Sequence, residues 1–186
     1  VSSSAFAQTQ EFKVGAGNAT QQIAQVESFT DFETFTGRTD KVSGMMKFDP
    51  VKKTGSGKII VDVKSIDTGI PLRNDHMLSA GWLDAAKFPT ITFETTNVKF
   101  VKGDMYRVTG KLTMHGVTKT VTTDARVRYT KESATTKNAG FKGNVLQVRS
   151  TFNIKLADYG VKIPAKAKGK VAETVKIRVT TYGQTG

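Results

Sequence analysis

Residues 66 to 93 read IDTGIPLRNDHMLSAGWLDAAKFPTITF, the only long interruption in a chain otherwise written as alternating apolar and polar residues. Thr68, Gly69 and Pro71 end one strand. Leu72, Met77, Leu78 and Trp82 then recur at a spacing that suits one short amphipathic helix, which Gly81 weakens near its end. Asp84 to Lys87 offer a further turn, and Phe88 cannot continue a helix because the residue before Pro89 is pushed out of the helical region. Ile91, Thr92, Phe93 and Glu94 resume alternation, so the spacing predicts a helical plug over residues 71–87, inserted between two strands.

Outward from the plug, the period is two on both sides. Val42, Gly44, Met46 and Phe48 share one face of a strand that precedes a turn over Pro50 to Gly57, and Ile59, Val61 and Val63 share one face of the next. Beyond the plug, Lys102-Gly103-Asp104 turns the chain into Tyr106, Val108, Leu112 and Met114, and His115-Gly116 reads as a tight hairpin turn. Val117, Val121, Ala125, Val127 and Tyr129 then alternate with threonines and arginines. After a polar loop over Thr130 to Gly143 come Leu146, Val148, Phe152 and Ile154, and a last strand carries Val175, Ile177 and Val179 inward. Near the front, Glu11 to Val14 suits a short strand and Gly15 to Asn18 a turn. Ile23, Val26, Phe29, Phe32 and Phe35 recur every three residues, a helical spacing, while the many threonines favour an extended, bulged strand pair. About eight antiparallel strands with one apolar face each satisfy either a closed barrel or a sandwich.

The chain has 186 residues, which suits one domain, residues 8–186 behind a short leader remnant, and it contains no cysteine, so disulfides and thiolate chemistry are excluded. No run of about 18 apolar residues is present to span a membrane as a helix. Ser2 to Ala7 ends in Ala5-Phe6-Ala7 before Gln8, the small-x-small pattern of a secretory cleavage site, so residues 1–7 are read as the tail of a signal peptide cleaved after Ala7. The net charge of +12 comes from 28 basic against 16 acidic residues. Lys119, Arg126, Arg128, Lys176 and Arg178 interleave with threonines as on a solvated barrel face, whereas Lys162 to Lys170, KIPAKAKGK, is a basic loop. That loop lacks aromatic residues for base stacking, and no nucleic-acid-binding motif occurs, so nucleic acid is not an expected partner.

Candidate catalytic groups are few. His76 and His115 are the only histidines, with neither a metal-ligand spacing nor a nucleophile elbow beside them, so no catalytic residue and no metal site is assigned. Asp75, His76 and Ser79 lie too close in sequence to assemble a triad. His115 is read as a turn residue. Arg73, Asp75 and His76 are either hydrogen-bonding ties of the plug or donors for the polar end of a ligand.

The stretch TGI-LR-DHM-S followed by W-L-D-A-A-K-F-P-T-I-T-F, with VTGKLTMHGVTK at Val108 to Lys119 and FNIKLADYGV at Phe152 to Val161, resembles the YceI-like family over about residues 38–182. The family's opening strand carries histidines, and Gly15 to Phe35 has none. The resemblance implies an all-β fold: a single antiparallel lipocalin-like β-barrel of about eight strands, with the helical insertion near one end of an elongated apolar cavity. It also implies periplasmic export and a bound long-chain lipid of the polyisoprenoid, isoprenoid-quinone or fatty-amide type, with no other cofactor. On that reading Met46, Phe48, Leu78, Trp82, Phe88, Phe93, Leu112, Met114 and Phe152 face the ligand, with Arg73 and His76 at its polar end. Inward apolar residues alone suit a filled core equally well.

Two functions from different classes follow. One is non-enzymatic carriage or sequestration of a long-chain amphiphile. The other is a surface or adhesion module with a filled core that docks on anionic lipid or an acidic partner through Lys162 to Lys170. The partners admitted are thus a long-chain lipid, a weak contact with an anionic membrane surface, and a homodimer. An enzyme acting on the lipid has only the two histidines behind it.

Overall fold

The computed structural model describes residues 8–16 and 21–186. Among these, ten strands and two α-helices run in the order β1 (Gln10–Val14), β2 (Ile23–Phe29), β3 (Thr34–Thr39), β4 (Val42–Asp49), β5 (Thr54–Asp62), α1 (Pro71–Leu78), β6 (Thr90–Lys102), β7 (Met105–Met114), β8 (Val117–Thr130), α2 (Ala134–Asn138), β9 (Val145–Lys155) and β10 (Thr174–Gln184). Residues 1–7, with the proposed cleavage site, and part of the turn expected over Gly15 to Asn18 lie outside the described residues.

Eight strands close a ring in the order β1-β4-β5-β6-β7-β8-β9-β10, because β10 returns to β1 through Lys13 opposite Gln184 and Val14 opposite Gly183. Closure removes the free sheet edges that a sandwich would leave. β1 is short and covers only one end of β10. Further along the same edge β10 pairs with β2, from Ile23 opposite Thr180 to Glu27 opposite Lys176, and β3 pairs in turn with β2. An isolated bridge between Arg38 and Asp67 ties β3 to the segment after β5 and completes the wall there. The front of the chain is therefore the extended strand pair, not a helix: Ala24 and Val26 line the cavity while Ile23 and Phe29 are exposed.

Three local expectations are corrected. The turn between β4 and β5 is confined to residues 50–53, with the Asp49 carboxylate accepting from the Val51 and Lys52 amides at 2.9 Å each, so Gly55 and Gly57 lie inside β5 opposite Phe48 and Met46. The helix of the insertion ends at Leu78 rather than running to Trp82, and only turns continue through Lys87. The loop over Thr130 to Gly143 contains α2, begun by a reciprocal cap in which Ser133 and Thr136 exchange side-chain and backbone bonds. His115-Gly116 is the expected two-residue hairpin turn, with φ of 53° and 75° as such a turn demands.

The two ends differ. At the α2 end Phe12, Phe48, Phe100, Tyr106 and Tyr129 interlock edge to face, with ring centroids 5.3 to 6.2 Å apart. The opposite end carries α1, the 115–116 turn, the β2–β3 turn and the long β9–β10 connection, over a second cluster that includes Leu112, Met114, Ile154, Tyr159 and Val175. On the outside, many of the arginines are paired: Arg126 and Arg128 on Asp104 at 2.9 and 3.2 Å, Arg107 on Asp124 at 3.0 Å, and Arg178 on Glu27 at 3.2 Å. The Arg128 guanidinium beside Asp104 holds that carboxyl below the usual carboxylate range.

Candidate functional site

Between the two ends the barrel is hollow. A cavity of about 210 Å³ runs from Phe48 and Gly55 near the α2 end to Met114, Ile154 and Ile66 near the α1 end. The register explains the space. Ala24 lies opposite Val179, Val179 opposite Ser150, and Ser150 opposite Ala125, so four neighbouring strands present short side chains in one row across the waist. Gly55 and Gly57 continue the theme on β5, where a Cβ would stand 3.2 Å from the Phe48 ring and 3.3 Å from Met46 Cγ. Short side chains inside an eight-stranded ring leave room that long ones would fill.

The cavity wall is largely apolar, and most of its hydroxyls are bonded within the wall itself. Thr39 and Ser65 share a hydrogen bond of 2.5 Å, Thr123 and Ser150 one of 3.0 Å, and Thr95 Oγ1 accepts from the Gly57 amide at 2.7 Å. Water entering such a space gives up bulk hydrogen bonds and gains little, and an apolar cavity of about 150 Å³ is known to stay dry and accept a hydrocarbon instead. Burial pushes the Tyr106 phenol up, in keeping with its packed, apolar surroundings. Among the described residues no cluster of three or more histidine, cysteine or acidic side chains is placed to hold a metal ion.

The residues singled out from sequence divide into two groups. Met46, Phe48, Phe93, Leu112, Met114 and Phe152 line the cavity together. Arg73, His76, Leu78, Trp82 and Phe88 do not. α1 buries none of its residues and rests at the rim, so it is not a plug seated in the barrel. His76 is exposed on it, and Leu78 is half-buried. Arg73 makes an ion pair with Glu33 in the β2–β3 turn and stacks on the Phe35 ring, its guanidinium carbon 4.6 Å from the centroid. Trp82 and Leu83, in the turn after α1, are what pack on the cluster at the α1 end. Phe88 meets the His115 ring edge to face at 4.9 Å, while His115 Nδ1 donates to the Tyr159 carbonyl at 3.0 Å. The sequence reading puts Val179 on an inward face without assigning it to the site, and it misses Ala24, Gly55, Gly57 and Ser150, whose signal is small size at inward positions.

The start of α1 is held by one polar knot. Asp67 Oδ1 accepts from Asn74 Nδ2 at 2.7 Å and from the Gly69 amide at 2.8 Å, while Asn74 Oδ1 accepts from the Thr68 amide and hydroxyl at 2.9 and 2.7 Å. The Asn74 amide and then the Gly69 N–H hold the Asp67 carboxyl below its ordinary value. A depressed carboxylate contributes fully above its unfolded value of about 3.9, and that contribution is lost as the pH falls through the lower folded value. As the pH falls below about 4 and through that lowered value, the rim segment is therefore expected to loosen. Trp82, the one tryptophan of the chain, reports it: its emission is expected to move to the red in that window, and Asp67→Ala to show the same shift already at pH 7.

A closed eight-stranded antiparallel barrel with an apolar internal cavity and a short helix at one rim defines a lipocalin-like binding fold. The family model for a YceI-like domain matches residues 12–182, and the chain belongs to that family. A UPF0312 protein of Pseudomonas aeruginosa (strain LESB58) is 32% identical over 149 residues, 79% of this chain and 72% of the relative. A UPF0312 protein of Azotobacter vinelandii is 34% identical over 143 residues, 75% of this chain and 69% of the relative. Among solved structures, Burkholderia cenocepacia BcnA superposes with a TM-score of 0.75 at 27% identity, covering 89% of this chain and 98% of that one. A polyisoprenoid binding domain from Saccharophagus degradans shares the fold at a TM-score of 0.71 and 19% identity, covering 96% of this chain and all of that one.

Proposed function

We propose that this protein holds the chain of a long amphiphilic lipid, of the polyisoprenoid, isoprenoid-quinone or fatty-amide type, in the barrel cavity and carries or sequesters it unchanged. The observation that carries the reading is the apolar space of about 210 Å³ through the waist of the barrel. Each methylene buried there contributes on the order of 0.8 kcal/mol, so a modest length of chain is retained without a charged contact. The name of the Saccharophagus structure, a polyisoprenoid binding domain, supports the ligand class. Ala5-Phe6-Ala7 and the family likeness support work outside the cytoplasm, in the periplasm. Native mass spectrometry after incubation with a polyprenol in detergent tests the reading. One lipid per chain, recovered with unchanged mass, is expected; no adduct, or a cleaved one, contradicts it.

The Arg73 to Glu33 pair fastens α1 to the β2–β3 turn across the rim. Half-exposed pairs of this kind are worth about 1 kcal/mol or less, near fivefold in a rate. Arg73→Ala is accordingly expected to speed lipid release up to about fivefold, with little change in melting temperature, as read by transfer of a fluorescent polyprenyl analogue to excess unlabelled acceptor.

A further inference from the structure

We propose that the α1 end of the barrel docks on the surface of a bilayer containing anionic phospholipid, bringing that end of the cavity towards the membrane that supplies or receives its cargo. The proposal rests on the lipid-binding reading and adds the partner and the orientation. Four of the seven large apolar side chains left exposed among the described residues lie at this end: Phe29 at 54%, Phe32 at 79%, Ile70 at 47% and Leu72 at 64% exposure. The α2 end has Val51 and Val101, without an aromatic.

Phe32 is held out by a made turn. Thr30 Oγ1 accepts from the Phe32 and Glu33 amides at 3.3 and 2.8 Å and donates to the Glu33 carbonyl at 2.8 Å, so the ring is presented to solvent with its backbone already ordered. Insertion of a preset ring sacrifices little conformational freedom, and phenylalanine is at home at the headgroup boundary.

Beside this turn lies the basic loop. The Ala172 amide donates to Ser28 Oγ at 2.9 Å, and a shallow groove bounded by Phe29, Phe32, Gly169 and Val171 joins the two segments. Lys162, Lys166, Lys168 and Lys170 are exposed, and among the described residues none of the four is in an ion pair, in contrast to many of the arginines of the barrel wall. Lys176 Nζ stands 5.7 Å over the Phe29 ring. Asp31 and Glu173 on the groove and Asp75 on α1 are the acids set among these groups, with Glu33 taken up by Arg73, and they are fewer than Lys162, Lys166, Lys168, Lys170 and Lys176. Each lysine near an anionic leaflet raises partitioning roughly fivefold, and the rings add an apolar term; neither alone anchors a protein, and the two together do. Exposed rings beside unpaired lysines match the apolar and anionic layers of a bilayer boundary, and on that ground the bilayer is the occupant proposed.

Vesicle flotation of the full chain tests this, using phosphatidylcholine vesicles with and without about a third phosphatidylglycerol at physiological salt. At least tenfold more protein is expected on the anionic vesicles. The pair Phe29→Ala with Phe32→Ala, and separately the triple change Lys166→Ala, Lys168→Ala and Lys170→Ala, are each expected to lower binding at least tenfold while leaving uptake of polyprenol from detergent unchanged. Equal binding to both vesicle types, no binding, or loss with the lysine variant but not the phenylalanine variant overturns the docking. A wild type that ignores vesicles but takes up micellar polyprenol overturns the docking alone, and one that binds anionic vesicles but takes up no polyprenol overturns the cavity reading alone.

Discussion

Val179→Trp is expected to abolish lipid retention and leave the barrel folded. Val179 faces the cavity at the waist, flanked by Ser150 on one neighbouring strand and Ala24 on the other, so an indole there projects into open space and not into packed side chains. Filling roughly half of the void returns about 2 kcal/mol, because residual cavity costs about 24 cal/mol per Å³. Overpacking opposes this by about 1 to 3 kcal/mol, so the two nearly cancel and the melting temperature is expected within about 4 °C of the parent. The lipid has no such offset. Excluding about four methylenes from the waist forfeits about 3 kcal/mol, near a hundredfold in affinity. Native mass spectrometry of parent and variant with the same polyprenol reads the difference, and undiminished binding by a folded Val179→Trp protein would place the lipid elsewhere.

Gly44→Ala is expected to have the largest effect on folding, a loss of at least about 4 kcal/mol or no soluble protein. Gly44 sits in β4 with φ of 140°, opposite Ile59 on β5, and a Cβ there would stand 2.0 Å from the Lys58 carbonyl oxygen and 3.1 Å from Ile59 Cα. Both are main-chain atoms, so no rotamer relieves the contact and the strands must separate. β4 also pairs through Gly44 with Val14 of β1, the strand that closes the ring, and so the damage reaches the closure. Gly103→Ala is the control: its φ of 56° is also positive, but nothing lies within 4 Å of an added Cβ. Backbone strain alone predicts about 1 to 2 kcal/mol there. Denaturant melts of both variants separate steric from torsional effects, and equal losses would remove the steric account of Gly44.

The alternation of Val42 to Phe48, of Val117 to Tyr129 and of Leu146 to Ile154 revealed the strands in sequence because the two faces of a barrel strand meet different solvents. The six cavity-lining residues among those predicted were visible for the same reason. What alternation does not carry is register. The hollow waist depends on Ala24, Val179, Ser150 and Ala125 falling in one row, and no single strand shows that its small residue faces another small residue. Gly55 and Gly57 were read as a turn because glycine usually punctuates strands, whereas here it makes room beside Phe48 and Met46. α2 has no apolar period, and its Ser133 to Thr136 cap lacks the usual Glu or Gln. From its neighbours in sequence Arg73 is open between a tie of the plug and a ligand donor, and the partner that ties it, Glu33, is 40 residues away, beyond the reach of any local pattern.

The most direct test of the cavity as a lipid site is mass spectrometry of an organic-solvent extract of the natively purified protein, beside an extract of the Val179→Trp variant prepared in the same way. A long-chain amphiphile near one per chain in the parent, and none in the variant, is the predicted result. An empty parent extract, from protein that also refuses added polyprenol, would contradict it and leave the space at the waist without a lipid to hold.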